Sequence, residues 1–270
     1  MKPYHFCARQ KIDSFQIGVK MSYPGIKAGV IVTLIALTIA ALTFGQRHAT
    51  SKREIRVLFL GNSLTAANDL PAMVQAMAAS GGVKLTYEAY TQGGFNLEDH
   101  WKDGKSLPAL RSQKWDYLVL QQGPSSLPES QEDLKKWAKI WADEARKYGV
   151  KPALYMVWPF KGQANGFELV EKSYENAARA SSSKLLPAGK AWEMCTSKFP
   201  SISLYSPDHL HPTLEGSYIA ALVIAFDLAG RPQGIGPPSL ALSNNRFVSF
   251  PKQVAQNLID AAAMGITRYK

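Results

Sequence analysis

The alternation of short β-branched or aromatic runs with helix-period segments is what most limits how this chain can fold. The runs are Ile55–Leu60, Lys84–Tyr90, Tyr117–Gln121, Ala153–Trp158 and a short Lys184–Leu186. Between the first two, Asp69–Ala79 has Pro71 near its start and Gly81-Gly82 just beyond its end, the asymmetry of a helix. Ser130–Tyr148 places Leu134, Trp137, Trp141, Ala145 and Tyr148 on one face and stops at Gly149. Phe167–Ala180 and Pro212–Ala229 follow, the latter closed by Gly230 and Pro232. A last helix, Lys252–Met264, comes after the irregular stretch Arg231–Phe250. Strands separated by helices predict an α/β fold, a central parallel sheet of about five strands with helices on both faces. In such sheets ligands bind outside the carboxyl ends of the strands, near the switch point in strand order.

The first run ends there in Gly61-Asn62-Ser63-Leu64-Thr65. Gly61 and Asn62 tolerate the sharp backbone needed to leave a strand. A lone serine in such a turn is usually a turn residue or a helix cap. What raises Ser63 above that is a base elsewhere in the chain, and histidines are scarce. Beyond the linker there are only His100, His209 and His211. His211 precedes Pro212, which keeps it extended and offers a natural first residue for the helix that follows. Asp208, three residues earlier, can curl back so that its carboxylate accepts the Nδ1 proton of His211. Nε2 is then free to take a proton from a serine hydroxyl. His209 adjoins Asp208 and points elsewhere in most loop conformations. Ser63, His211 and Asp208 thus form a candidate nucleophile, base and orienter. Zinc ligation by Asp208, His209 and His211 is the weaker reading, since they have no recognisable partner beyond His100. No metal and no cofactor is implied. Trp158-Pro159 reads as core plus a turn, with Trp158 lining the pocket as the lesser alternative, and His100-Trp101 as a helix surface.

The pattern lacks the G-x-S-x-G elbow of the α/β-hydrolases, because Thr65 stands at the fifth position. It resembles instead the SGNH (GDSL-like) hydrolases, whose late block is D-x-x-H. Gly61-Asn62-Ser63-Leu64 is similar to that family's first block, with Asn62 where Asp is more usual. Gln92-Gly93-Gly94 is similar to its second block, and Asp208–Pro232 to its last block and the helix behind it. Leu186–Glu193 is also similar to some bacterial members, so the resemblance runs from about Ile55 to Pro232. It implies the three-layer, flavodoxin-like SGNH fold and serine acyl transfer, with Ser63, Asp208 and His211 as catalytic residues. The oxyanion would be received by the N–H groups of Ser63 and Gly94 and by a third donor. The family's third block carries an asparagine for that role, but Leu120–Ser126 has none. Gln122 is chemically the closest substitute. Gln121, Ser125 and Asn96 remain open, although a helix cap suits Asn96 better.

Upstream of the domain, Gly29–Phe44 is an uncharged run of 16 apolar or small residues with Lys20 and Lys27 before it. That is just short of the roughly 17–25 residues of a comfortable span and longer than the about 7–15 of a signal-peptide core. The expected organisation is a signal peptide or signal anchor over 1–45, a polar linker over 46–54 and an SGNH hydrolase-like domain over 55–270. Whether the leader is cleaved, and whether translation starts at Met1 or Met21, stays open. The domain would then lie outside the cytoplasm, with possible membrane association through residues 29–44. Beyond Gly45 the chain holds 26 basic and 20 acidic residues, a net +6 without a Lys/Arg run. That describes a solvated basic surface and not a nucleic-acid-binding one. Two cysteines, Cys7 and Cys195, build no disulfide framework, and Cys195 reads as a buried small side chain. The expected function is a serine esterase acting on a small-molecule or glycan ester. An acyltransferase using the same triad and a catalytically silent ligand-binding domain are the alternatives.

Overall fold

The computed structural model describes residues 53–230, 236–243 and 245–269, so the apolar run Gly29–Phe44 and most of the linker lie outside the described residues. Strands β1 (Glu54–Gly61), β2 (Lys84–Thr91), β3 (Tyr117–Leu120), β4 (Lys151–Tyr155) and β5 (Lys184–Leu186) form one parallel sheet in the order β2-β1-β3-β4-β5. The first element after β1 is a short helix α1 (Ser63–Ala66) running through a 3₁₀ turn (Ala67–Asp69) into α2 (Leu70–Ser80). From β1 the chain moves through α2 to β2 at one edge. It then reverses past β1 to β3, β4 and β5, through α3 (Leu97–Lys102), α4 (Ser106–Ser112), α5 (Pro128–Lys147) and α6 (Gly166–Ser181). Right-handed crossovers in opposite directions put α2 on one face and α3 to α6 on the other. Helices α7 (Ala188–Lys198), α8 (Leu214–Ala229) and α9 (Lys252–Thr267) join α2 on the first face. The switch point therefore falls between β1 and β3, directly above Ser63 and the Gln121–Ser125 turn.

Burial explains the sequence patterns. Val57–Leu60 are fully buried, as a strand covered on both faces requires. Helix α8 is apolar almost all round and is buried from Gly216 to Ala225, because the sheet lies on one side and α2, α7 and α9 lie on the other. It gives the loop before it a rigid base. The fourth strand is expected at Ala153–Trp158 but lies at Lys151–Tyr155. Its register explains the shift: β3 ends at Leu120, opposite Leu154, so residues beyond Tyr155 have no ladder to join on that side. Helix α8 starts at Leu214 and not at Pro212, with the Thr213 hydroxyl accepting the Gly216 N–H as its N-cap. Helices α3, α4 and α7, and the hairpin of β6 (Ser239–Ala241) and β7 (Phe247–Ser249), are additions to the expected pattern.

Candidate active site

The turn that carries Ser63 is braced by several contacts. Asn62 is the N-cap of α1, its Oδ1 accepting the Leu64 N–H at 3.1 Å. Its Nδ2 donates to Phe95 O at 3.1 Å, which ties the turn to the loop carrying Gly94. An aspartate has no such donor, so the asparagine supplies a bond that the more usual residue does not. Gly61 leaves no room for a side chain: a Cβ there would collide with Thr65 Oγ1 and lie 2.6 Å from Gln121 Oε1. Ser63, half-buried, then opens α1 at the carboxyl end of β1.

The Asp208–His211 loop is closed at its base by a bridge between Tyr205 and Pro212 and by the Ser206 N–H donating to His211 O at 2.8 Å. Within it Asp208 Oδ1 accepts the N–H groups of Leu210 (3.0 Å) and His211 (2.9 Å). Its other oxygen lies 2.6 Å from His211 Nδ1, and His211 Nε2 lies 2.8 Å from Ser63 Oγ. The Leu210 and His211 amides, with the imidazole, hold the Asp208 carboxyl down at about 2, below the usual carboxylate range. The structure thus brings together the serine, histidine and aspartate picked out in the sequence. His209 is exposed in a left-handed conformation (φ 65), and its carbonyl accepts the Lys161 N–H.

Two contacts not foreseen from the sequence hold these loops in register. Asn68 Nδ2 donates to Pro212 O (3.3 Å), Thr213 O (3.1 Å) and Ser217 Oγ (2.9 Å), joining the segment after Ser63 to the start of α8. Trp158, stacked on Trp192 with ring centroids 3.5 Å apart, donates its indole N–H to Leu210 O at 2.9 Å. Trp158 is fully buried, so it supports the histidine loop from beneath.

The donors expected for an oxyanion divide into two groups. Among the described residues the N–H groups of Ser63 and Gly94 have no hydrogen-bond partner, and Gly94 is exposed at φ 79, a conformation that suits glycine. Gln122, expected as the third donor, requires correction. Its Oε1 accepts the Leu97 N–H at 3.1 Å, and its Nε2 donates to Asp133 Oδ2 (3.1 Å) and Ser125 Oγ (3.3 Å). The extra methylene carries this amide into the protein, where both its hydrogens are engaged. Ser125 donates in turn to Gly123 O, and Gln121 is turned onto Asn62. Asn96 caps α3, in a capping box with Asp99.

His100 is not on a surface. It is 1% exposed, and Trp101 beside it packs on Trp137 and Trp141. Its Nε2 lies 2.8 Å from Gly61 O and its Nδ1 lies 3.0 Å from Ser106 Oγ. Ser106 Oγ donates to Asp103 Oδ2 at 2.6 Å. Burial works against ionisation of Asp103, but the Ser106 hydroxyl and the N–H groups of Ser106 and Lys105 outweigh it and hold its carboxyl below its ordinary value. The scarcity of histidine was the one sequence signal that pointed at this residue. Cys195 is buried, and burial pushes its thiol up to about 11. Among the described residues no group of three His, Cys, Asp or Glu side chains is arranged to hold a metal ion.

No model of a protein family matches the sequence, and no curated protein matches it. Solved structures do. A DUF4886 family protein from Bacteroides uniformis matches at a TM-score of 0.62 and 18% identity, covering 79% of this chain and 95% of its own. A protein assigned to the SGNH hydrolases, from Slackia heliotrinireducens, matches at 0.54 and 24% identity over 64% of this chain and 98% of its own. The lipase/acylhydrolase of Enterococcus faecalis matches at 0.51 and 16% identity over 67% and 98%. The chain has the α/β fold of the SGNH hydrolases, a central five-stranded parallel sheet with helices around it. The resemblance to SGNH (GDSL-like) proteins read from its sequence blocks extends to that fold.

Proposed function

We propose that the protein is a serine ester hydrolase in which Ser63 is the nucleophile, His211 the general base and Asp208 its orienter. The observation that carries this is the continuous chain from Asp208 Oδ2 through His211 to Ser63 Oγ, with links of 2.6 and 2.8 Å at the switch point of the sheet. In this reading Ser63 Oγ attacks the ester carbonyl while His211 Nε2 takes its proton, and the Asp208 carboxylate stabilises the imidazolium that results. The N–H groups of Ser63 and Gly94 receive the oxyanion. Collapse expels the alcohol, protonated by His211. Water, deprotonated by the same nitrogen, then releases the acyl group and restores the serine. The fold that this chain shares with the Enterococcus faecalis lipase/acylhydrolase is consistent with that chemistry.

Engagement of Gln121, Gln122 and Ser125 elsewhere favours a second reading, a silent ligand-binding domain lacking a third oxyanion donor. Labelling by an organophosphonate, with hydrolysis of aryl esters of rising chain length, separates the two. The esterase reading expects stoichiometric labelling that disappears in Ser63→Ala, together with loss of about 10³–10⁶ in turnover at unchanged melting temperature. A Ser63→Ala protein that keeps more than a tenth of the activity would rule out the assignment. An extracytoplasmic location belongs to the same proposal and rests on the sequence of Gly29–Phe44 with Lys20 and Lys27 before it. A reporter enzyme active only after export, fused behind Lys270, should be active; activity confined to the cytoplasm overturns the location.

A further inference from the structure

We propose that His100 is a positioning residue for this site, fixing the peptide on which both the nucleophile and the oxyanion loop are hung. The inference rests on the esterase reading above and adds to it a residue outside the triad. Gly61 O has two donors, His100 Nε2 at 2.8 Å and the Gln92 N–H at 3.2 Å. The N–H of the same peptide, that of Asn62, donates to Gln121 Oε1 at 2.9 Å. Rotation of the Gly61–Asn62 peptide is therefore opposed at both ends. Ser63 is the next residue after it, and Gln92 begins the Gln92-Gly93-Gly94 loop that carries the second oxyanion N–H. One carbonyl thus couples the two halves of the oxyanion pocket, and His100 is its shorter contact.

The hydrogen on one ring nitrogen follows from its partner. A carbonyl oxygen only accepts, so Nε2 carries a hydrogen and points it at Gly61. On the other side Nδ1 lies 3.0 Å from Ser106 Oγ and 3.5 Å from Asp103 Oδ2, so with the Ser106 hydroxyl hydrogen on Asp103 it is Nδ1 that donates to Ser106. The Phe95 ring lies in a T-shaped contact with the imidazole, centroids 5.2 Å apart, so the oxyanion loop also packs against His100. Burial, two polar contacts and the aromatic contact leave the ring one orientation. Ordinary core packing needs no donor at this point; a buried imidazole aimed at the carbonyl before the nucleophile supplies one.

The two ring nitrogens can be mimicked separately. His100→Gln places an amide N–H at the position of Nε2 and keeps the bond to Gly61 O. His100→Asn reaches only the position of Nδ1 and leaves Gly61 O without that donor. In the full chain the expected result is near wild-type kcat for His100→Gln and a fall of about 10- to 100-fold for His100→Asn, with KM within about twofold in both. Ser106→Ala, which unpins the ring without removing it, should lower kcat in the same direction by a smaller factor and keeps the question open to test if His100→Asn does not fold. The rate of phosphonylation of Ser63 should follow the same order. Folded His100→Asn or Ser106→Ala protein with wild-type kcat and labelling rate overturns the proposal alone, as does a change confined to KM. Absence of labelling in the wild-type protein overturns the esterase reading, and this proposal with it.

Discussion

Gln121 holds Asn62 by both its backbone and its side chain: Oε1 accepts the Asn62 N–H at 2.9 Å and Nε2 donates to Asn62 Oδ1 at 2.9 Å. The remaining capacity of the glutamine is also used, by the Thr65 hydroxyl at 2.6 Å and by Gln122 O at 2.7 Å. All four bonds are buried, so the residue just past β3 clamps the Gly61–Thr65 turn across β1 and β3. Gln121→Ala leaves the buried Asn62 N–H and Thr65 hydroxyl without these partners, while Gln122 O keeps the Tyr174 hydroxyl. Each unsatisfied group costs about 1–3 kcal/mol, and a fall of roughly 3–8 °C in melting temperature should follow. Turnover should fall as well, because the turn that presents Ser63 loses its tether. Calorimetry on purified Gln121→Ala checks this, and an unchanged melting temperature would contradict the clamp.

The two neighbouring histidines should behave differently. His211 contacts Ser63 and Asp208, whereas His209 is exposed with its backbone pinned to Lys161 and Ser206. His211→Ala should match Ser63→Ala, with a loss of about 10³–10⁶ in kcat. His209→Ala should stay within about tenfold, since its side chain lies outside the chain of proton transfer. Steady-state kinetics of the two variants decide the matter. Equal and complete loss at both, with activity removed by a chelator and restored by zinc, would favour metal ligation by the loop instead.

Asp208 should remain ionised far into acid. Its carboxyl is held at about 2 in the folded protein against 3.8 for the free side chain. A depressed folded value means that what the carboxylate contributes is fully present above 3.8 and is lost as the pH falls through about 2. A carbon-detected NMR titration of the Asp208 carboxyl should therefore have its midpoint near 2, and a midpoint at or above 3.8 contradicts the pairing. Asp208→Asn removes the charge and offers the wrong partner to Nδ1, so kcat should drop by about 10³–10⁴ at neutral pH.

Much of this fold was legible because periodicity and terminators agree over long stretches. Pro71 and Gly81 bracket α2, Gly149 closes the turn after α5, and β5 lies where Lys184–Leu186 predicts it. The short helices α1, α3 and α4 were not legible, because four to seven residues give too little of a helical period. Helix α7 did carry a signal in Ala188, Ala191, Trp192 and Cys195, which share one buried face at helical spacing. At the site, the i to i+3 relation of Asp208 and His211 is local, so sequence spacing was enough to find it. The contacts of Asn68, His100 and Trp158 join segments far apart in the chain, and nothing in a local pattern encodes such pairs. The direction of Gln122 failed for a related reason. Successive side chains at the end of a strand point to opposite sides, and which side faces the pocket depends on how β3 registers against β1.

Gln122 is accordingly expected to matter more for stability than for chemistry. Its Oε1 satisfies the Leu97 N–H at the start of α3, and its Nε2 reaches Asp133 on α5. Burial raises the Asp133 carboxyl above its ordinary value, while the Gln122 amide opposes that rise. Gln122→Ala removes the opposition, so Asp133 should titrate at still higher pH, and the buried Leu97 N–H loses its partner at about 1–3 kcal/mol. The expected result is a lower melting temperature with kcat of the folded variant within about threefold of wild type. A lost transition-state donor would instead lower kcat by about 10²–10³ at constant KM. Kinetics and melting measured on the same preparation separate the two. Normal melting with a hundredfold fall in kcat would return Gln122 to the oxyanion hole and require its side chain to turn toward Ser63 during the reaction.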